Sequence, residues 1–90
     1  MGTALIKIKI MPVSPETDLS KIQEKAKEII EKNKGQRVSF ETQPIAFGLK
    51  ALIVGFDLDE SLELEPIEKG LREIENVNST EVIDMRRAFG

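Results

Sequence analysis

Cysteine and histidine are both absent from this 90-residue chain. Their absence excludes disulfides, thiolate nucleophiles, most zinc sites and the commonest general base of enzymes. Tryptophan and tyrosine are absent as well, which leaves four phenylalanines as the aromatic residues. No apolar run approaches the roughly 18 residues that a membrane-spanning helix requires. A catalyst built from this sequence would have to rely on carboxylates, lysine or serine.

The residues that are present have the composition of an ordinary globular domain. Hydrophobic residues make up 40% of the chain and charged residues 32%. This length suits one hydrophobic core, so residues 1–90 are interpreted as a single domain. The net charge of −3 offers no general attraction for nucleic acid. The N-terminal segment alternates apolar residues with lysine and has no signal-peptide cleavage site, so we expect a cytoplasmic protein.

Four segments alternate apolar with polar residues and therefore predict β-strands. The predicted strands span residues 3–11, 36–46, 49–58 and 79–88. Pro44 either confines the second strand to an edge of the sheet or ends its pairing, because proline cannot donate a hydrogen bond to a neighbour. A short reversal containing glycine is expected to join the second and third strands.

Two segments carry apolar residues every three or four positions and predict amphipathic helices. The first helix is expected to begin with Thr17 or Asp18 as N-cap and to end with Gly35 as C-cap. The second helix is capped by Ser61 or begins nearer Glu65.

The resulting order βαββαβ predicts an α+β fold of the ferredoxin-like type, a four-stranded antiparallel sheet with two helices on one face. This fold hosts many unrelated functions. RNA recognition is disfavoured because the first strand lacks aromatic residues and Phe56 is isolated in the third. The acidic residues between Asp57 and Glu65 match no calcium-loop pattern, and we interpret them as a solvated connection leading into a helix.

Two segments resist a purely structural interpretation. Residues 44–50, with the sequence PIAFGLK, place Phe47 beside a glycine in a predicted loop. An exposed phenylalanine there would suit a pocket on a partner protein, whereas the alternative is that Phe47 folds back under the sheet edge. The C-terminal residues 84–90, DMRRAFG, place Arg86 and Arg87 at the end of a strand. These arginines are either functional or merely solubilising.

Three further segments belong with these two: KIKIMP at residues 7–12, DL at residues 18–19 and VNSTEV at residues 77–82. Together the five segments resemble the archaeal elongation factor 1-beta family and the C-terminal catalytic domain of its eukaryotic counterparts. The resemblance extends over essentially the whole chain, and PIAFGL is its most specific part. It implies exchange of GDP for GTP on elongation factor 1-alpha, the GTPase that delivers aminoacyl-tRNA. Such a factor performs no covalent step, because binding the nucleotide-poor GTPase more tightly lowers nucleotide affinity by the same factor.

The resemblance also implies roles for individual residues. Phe47 would fill an apolar pocket on the GTPase. In the eukaryotic relatives a lysine next to the C-terminal residue enters the magnesium and phosphate site, and its position falls on Arg87, with Arg86 as the alternative. Arginine is forked and permanently charged, so it pairs with carboxylates and phosphates differently from lysine. The further expected partner contacts are Ile45, Gly48, Lys50, Met85 and Phe89.

The resemblance assigns guanine nucleotide and magnesium to the GTPase, so the chain itself is expected to need no cofactor, nucleic acid or membrane. The first predicted strand begins at Thr3, and we therefore expect the protein to work alone or with the GTPase only. One alternative of a different class stays open, a small regulatory domain that dimerises through its sheet and binds a metabolite. It would predict a stable dimer, stabilisation by the ligand and no need for the two arginines.

Overall fold

A computed structural model of the chain describes residues 2–88, and the order of its elements is the predicted one. The sheet has the strand order β2-β3-β1-β4, and every pair of neighbouring strands is antiparallel. The ferredoxin-like α+β fold is thereby confirmed. Neither helix in this part of the chain is long and apolar enough to cross a membrane. The elements are β1 (Thr3–Pro12), α1 (Leu19–Lys32), β2 (Gln36–Pro44), β3 (Lys50–Asp59), α2 (Glu65–Arg72) and β4 (Val77–Ala88).

One face of the sheet packs against both helices and forms the core. The central strands β1 and β3 supply most of it, because their alternate residues lie opposite one another, as Ile8 does with Val54. Each such apolar side chain contributes about 1.5–3 kcal/mol when it is fully buried. The opposite face, called the open face below, carries Leu5 and Lys7. The core residues are Ile6, Ile8, Ile10, Ile22, Ala26, Ile30, Leu52, Val54, Phe56, Leu58, Ile67 and Leu71.

Helix α1 begins as predicted but ends differently. Its N-cap is Asp18, whose Oδ1 accepts a hydrogen bond from the Ser20 N–H at 3.0 Å. The prediction of Gly35 as the C-cap is wrong, because the C-cap is Asn33, and the left-handed conformation follows at Lys34, with φ 71°. The Gly35 N–H then donates to the Ile30 carbonyl at 2.8 Å. Glycine is required at this position because a Cβ there would overlap the side chain of Ile30.

Helix α2 begins at Glu65, so Ser61 is not its N-cap and the alternative start was the right one. Ser61 belongs instead to the turn after β3, where its N–H and Oγ each donate to Asp59 Oδ1 at 2.8 Å. Within α2, Gly70 allows the two helices to approach closely. A Cβ at Gly70 would lie 2.8 Å from the Cγ2 atom of Ile29.

Register shifts interrupt the sheet at three places. In β2 an extra residue opposite β3 lies between Gln36 and Ser39, where Arg37 has φ 51°. In β4 the extra residues opposite β1 are Ile83 and Asn78. Such bulges are invisible in an alternation pattern, and they locally increase the twist of a strand.

Candidate functional site

The connection between β2 and β3 is a tight reversal, and we call this end of the sheet, residues 44–50, the loop end. The Ile45 N–H donates to the Leu49 carbonyl at 2.7 Å, and the Leu49 N–H donates to the Ala46 carbonyl at 3.4 Å. Gly48 has φ 76°, a conformation that only glycine adopts without cost. The reversal ends β2 at Pro44, earlier than the predicted residue 46. It leaves a three-residue tip, Ala46–Gly48.

Phe47 lies at this tip and is 94% exposed. The alternative that it folds back under the sheet edge is therefore wrong. Its backbone has φ 64° and ψ 30°, the left-handed region, which costs an ordinary L-residue roughly 1–2 kcal/mol. The isolated chain gains no burial from the ring in return. A large apolar side chain held out in this way is suited to an apolar pocket on another protein.

The remaining residues of the loop end surround Phe47 with a mixed surface. Ile45 is half-buried, whereas Lys50, the first residue of β3, is exposed beside Pro44. Val13 was not singled out from the sequence, yet its side chain is exposed just after the end of β1. Because β1 runs antiparallel to β3, Val13 lies at the same end of the sheet as the loop. An apolar residue placed just outside a strand was the signal available in the sequence.

Strand β4 carries Arg86 and Arg87 to the opposite end of the sheet, which we call the arginine end. Arg86 lies opposite Leu5 and Arg87 lies opposite Ala4. Ala4 packs against the core, whereas Leu5 belongs to the open face. Because successive residues of a strand point to opposite faces, Arg86 projects from the open face and Arg87 from the helix side.

Each arginine forms an ion pair with a carboxylate of the same chain. Arg87 Nε lies 2.5 Å from Glu60 Oε1, which belongs to the turn between β3 and α2. Arg86 Nε lies 3.1 Å from Asp84 Oδ2 on the same strand. Exposed pairs of this kind are worth only about 0.2–1 kcal/mol, so a stronger partner can displace either carboxylate.

Met85, immediately before the two arginines, is exposed on the helix side and lines a shallow groove with Leu62 and Leu64. It therefore lies at the arginine end, far from the loop. The other residue expected to contact a partner from the C-terminal segment, Phe89, lies outside the described residues.

The acidic residues near the arginine end are divided among separate interactions. Asp57 pairs with Arg37, and Glu60 pairs with Arg87. Hydrogen bonds from the backbone and then the side chain of Ser61 hold the pKa of Asp59 below its usual value. Within residues 2–88, no three acidic side chains are grouped so that they could hold a metal ion.

The structure does not bring the two ends together. The loop follows the pair of Pro44 with Lys50, whereas Arg87 lies across β1 from Leu58. Between Lys50 and Leu58 strand β3 advances by about 26 Å, at a rise of ~3.3 Å per residue. Any single partner that contacts both ends must therefore present two separate sites.

The sequence profile of the EF-1 guanine nucleotide exchange domain matches residues 5–88. The chain belongs to this family. It is similar to elongation factor 1-beta of Methanocaldococcus jannaschii, with 42% identity over 89 residues, 98% of this chain and 100% of the relative. The protein of the same name from Nanoarchaeum equitans is 43% identical over 82 residues, 90% of this chain and 100% of the relative. That of Methanococcus maripaludis strain C6 is 36% identical over 86 residues, 94% and 97% of the two chains.

Membership of the EF-1 exchange domain family confirms the resemblance found in the sequence. It assigns the chain a guanine-nucleotide exchange role in translation elongation. The segment that matches the EF-1 profile contains both the loop end and the arginine end. The roles of Phe47, Arg86 and Arg87 do not follow from membership and stay predictions.

Proposed function

We propose that this chain promotes GDP/GTP exchange on elongation factor 1-alpha in the cytoplasm, by binding alone and without covalent catalysis. The family match and the names of the relatives support an exchange role in elongation. The observation that carries the proposal is Phe47, 94% exposed and in a left-handed conformation. A preformed aromatic anchor loses little conformational entropy when it enters a pocket, so it suits a factor that must bind tightly.

The loop end is proposed to anchor the factor on the GTPase. Phe47 enters an apolar pocket there, and Ile45, Gly48 and Lys50 contact the rim of that pocket. Gly48 has no neighbouring atom within 4 Å of the position of a Cβ, so the partner can approach the backbone closely at this point. Exposed Val13 extends the same apolar surface.

The arginine end is proposed to act on the nucleotide. Arg87 enters the magnesium and phosphate site, where a cation competes with Mg²⁺ for its charge interactions and loosens the bound nucleotide. Arg86, which projects from the other face, pairs with an acidic group of the GTPase. Met85 and Phe89 supply apolar contacts to the GTPase. The assignment of Arg87 is supported by its place at the end of the sheet, further along β4 than Arg86.

Exchange then follows from linkage between two ligands of one GTPase. A factor that binds the nucleotide-free GTPase more tightly than the loaded form lowers nucleotide affinity by the same ratio. Guanine nucleotide and Mg²⁺ are bound by the GTPase in this proposal, and the factor itself uses no cofactor, nucleic acid or membrane.

The experiment that tests this function is the release of a fluorescent GDP analogue from elongation factor 1-alpha. We expect substoichiometric amounts of the protein to accelerate release, because a factor that acts by binding alone is regenerated. A variant at Lys27, an exposed position of α1, serves as the control and should accelerate release equally. Unchanged release at stoichiometric protein would contradict the proposal and favour the metabolite-binding regulatory domain.

A further inference from the structure

We propose that Glu60 is a positioning residue for Arg87, which orients the guanidinium for the site on the GTPase. This inference rests on the proposed function, since it concerns the cation that acts on the nucleotide. It adds a residue from a different part of the chain, the turn between β3 and α2.

Glu60 is itself held in place by Gly2, the residue before β1. Its backbone N–H donates to the Gly2 carbonyl at 3.0 Å. Its carboxylate lies against Gly2 so closely that a Cβ on Gly2 would overlap Oε2. The other oxygen, Oε1, accepts the hydrogen bond from Arg87 Nε at 2.5 Å. The carboxylate is therefore held against Gly2 by one side while its Oε1 atom contacts Arg87.

Glu60 contacts the guanidinium of Arg87 at Nε and leaves the rest of the guanidinium accessible. Nε is the guanidinium nitrogen attached to the aliphatic chain, so the two terminal nitrogens lie beyond it. The side chain of Arg87 stays 69% exposed, whereas that of Glu60 is 31% exposed. An arginine held in this manner can still offer its terminal N–H groups to a phosphate or carboxylate of a partner.

The ion pair of Arg86 with Asp84 differs from that of Arg87 with Glu60, and the difference shows what Glu60 adds. Arg86 and Asp84 lie two residues apart on one strand, so their contact restrains nothing beyond β4. Arg87 and Glu60 are 27 residues apart, and their contact joins the end of β4 to another element. Ordering a long side chain costs free energy on binding, and an arginine that is already restrained loses less conformational freedom when it meets its partner.

The test compares E60Q with the matched variant D57N. Both lose one negative charge and one surface ion pair with an arginine, and Asp57 pairs with Arg37 instead of Arg87. We expect E60Q to raise the factor concentration for half-maximal acceleration of GDP release about two- to fivefold. The maximal rate should stay unchanged, because Arg87 itself is still present. D57N should leave both quantities unchanged.

Two further variants exclude a general loss of structure. G2A keeps every charge but displaces the Glu60 carboxylate, so it should shift the half-maximal concentration in the same direction as E60Q. In an R87A background, E60Q should add no further effect, because its partner is already gone. Thermal unfolding of each variant checks that the fold is intact.

The outcomes separate this inference from the function on which it rests. If wild-type protein fails to accelerate release, or R87A exchanges normally, the proposed function or the role of Arg87 fails. If R87A is impaired while E60Q behaves as D57N does, only the role of Glu60 is overturned. Faster exchange by E60Q would also overturn it, because Glu60 would then be a competitor that restrains Arg87.

Discussion

At the loop end a phenylalanine is held away from the fold by its own backbone, whereas at the arginine end two cations are held by carboxylates of the same chain. Phe47 is in a left-handed conformation and is 94% exposed. Arg86 and Arg87 lie in strand β4, and each is paired with a carboxylate. The two ends are therefore prepared for contact by different means, one by conformational strain and the other by charge.

The difference predicts how each end responds to its surroundings. Contact of an aromatic ring with an apolar pocket depends on buried area and is nearly independent of salt. Contact of exposed cations with phosphates weakens as ionic strength rises, because the Debye length shortens to about 8 Å at physiological salt.

Phe47→Ala should weaken binding of the factor to elongation factor 1-alpha about 30-fold, the effect of losing an interface residue worth ~2 kcal/mol. Titration of the GTPase with the variant measures this change through GDP-analogue release. The melting temperature should stay close to that of the wild type, because the ring is exposed. Normal affinity in a folded variant would remove the loop end from the interface.

Arg87→Ala should lower the maximal exchange rate about tenfold, since hydrogen bonds to charged groups contribute ~1.5–3 kcal/mol. Arg87→Lys should restore part of the rate, because it restores the charge without the fork. Exchange by Arg87→Ala should also decrease less with added salt than exchange by Phe47→Ala, which keeps both cations. Equal salt dependence in the two variants would show that the ends do not differ as described.

Phe47→Gly should stabilise the isolated protein by about 0.5–1 kcal/mol, since glycine relieves the left-handed strain but raises the entropy of the unfolded chain. Thermal or urea unfolding measures the change. Exchange should be as poor as with Phe47→Ala, so stability and function would move in opposite directions. A destabilised Phe47→Gly variant would mean that the ring supports the loop in the free protein.

Near each end of the sheet lies one carboxylate whose pKa is lowered. Through these two carboxylates, acid should weakly destabilise the fold. Hydrogen bonds from the side chain and backbone of Ser20 lower the pKa of Asp18 near the loop end, and those of Ser61 lower the pKa of Asp59 near the arginine end. A lowered pKa in the folded state adds stability above the unfolded value of 3.8, and this stability is lost as the pH falls through the folded value.

Asp18→Asn and Asp59→Asn keep an acceptor oxygen but remove the titration. The melting temperature of each variant should therefore fall less between pH 7 and pH 3 than that of the wild type. The wild type and the two variants would be compared by thermal unfolding at both pH values. A loss identical to that of the wild type would indicate that other carboxylates account for the acid sensitivity.

The sequence predicted those parts of the fold that depend on local patterns. Alternation and three-to-four spacing identified every strand and helix, and Asp18 is the N-cap because its side chain bonds to a residue two positions away. Helix α1 ended at a different residue type from the one predicted. The sequence favours Gly35 as the C-cap on residue preference, whereas Asn33 is the C-cap, Lys34 adopts the left-handed conformation and Gly35 is required by its tight contact with Ile30.

The candidate site was less accessible from the sequence because it depends on three-dimensional contacts. The composition of residues 44–50 suggested a partner site, but only the backbone of the turn decides between an exposed Phe47 and a buried one. The contact of Arg87 with Glu60 joins residues 27 positions apart, so no spacing rule reveals it. Only the path of the sheet brings these two side chains together.

One of the two extra residues of β4, Ile83, has a consequence for the chemistry of the C-terminal segment. Before this bulge Ile8 lies opposite Val82, and after it Lys7 lies opposite Asp84. A shift of the pairing register by one residue moves the side chains of a strand to the opposite faces of the sheet. If Ile83 were paired with Lys7 in a regular ladder, Arg86 would lie opposite Ala4 and Arg87 opposite Thr3, on the open face. The bulge at Ile83 therefore determines which of the two arginines reaches Glu60.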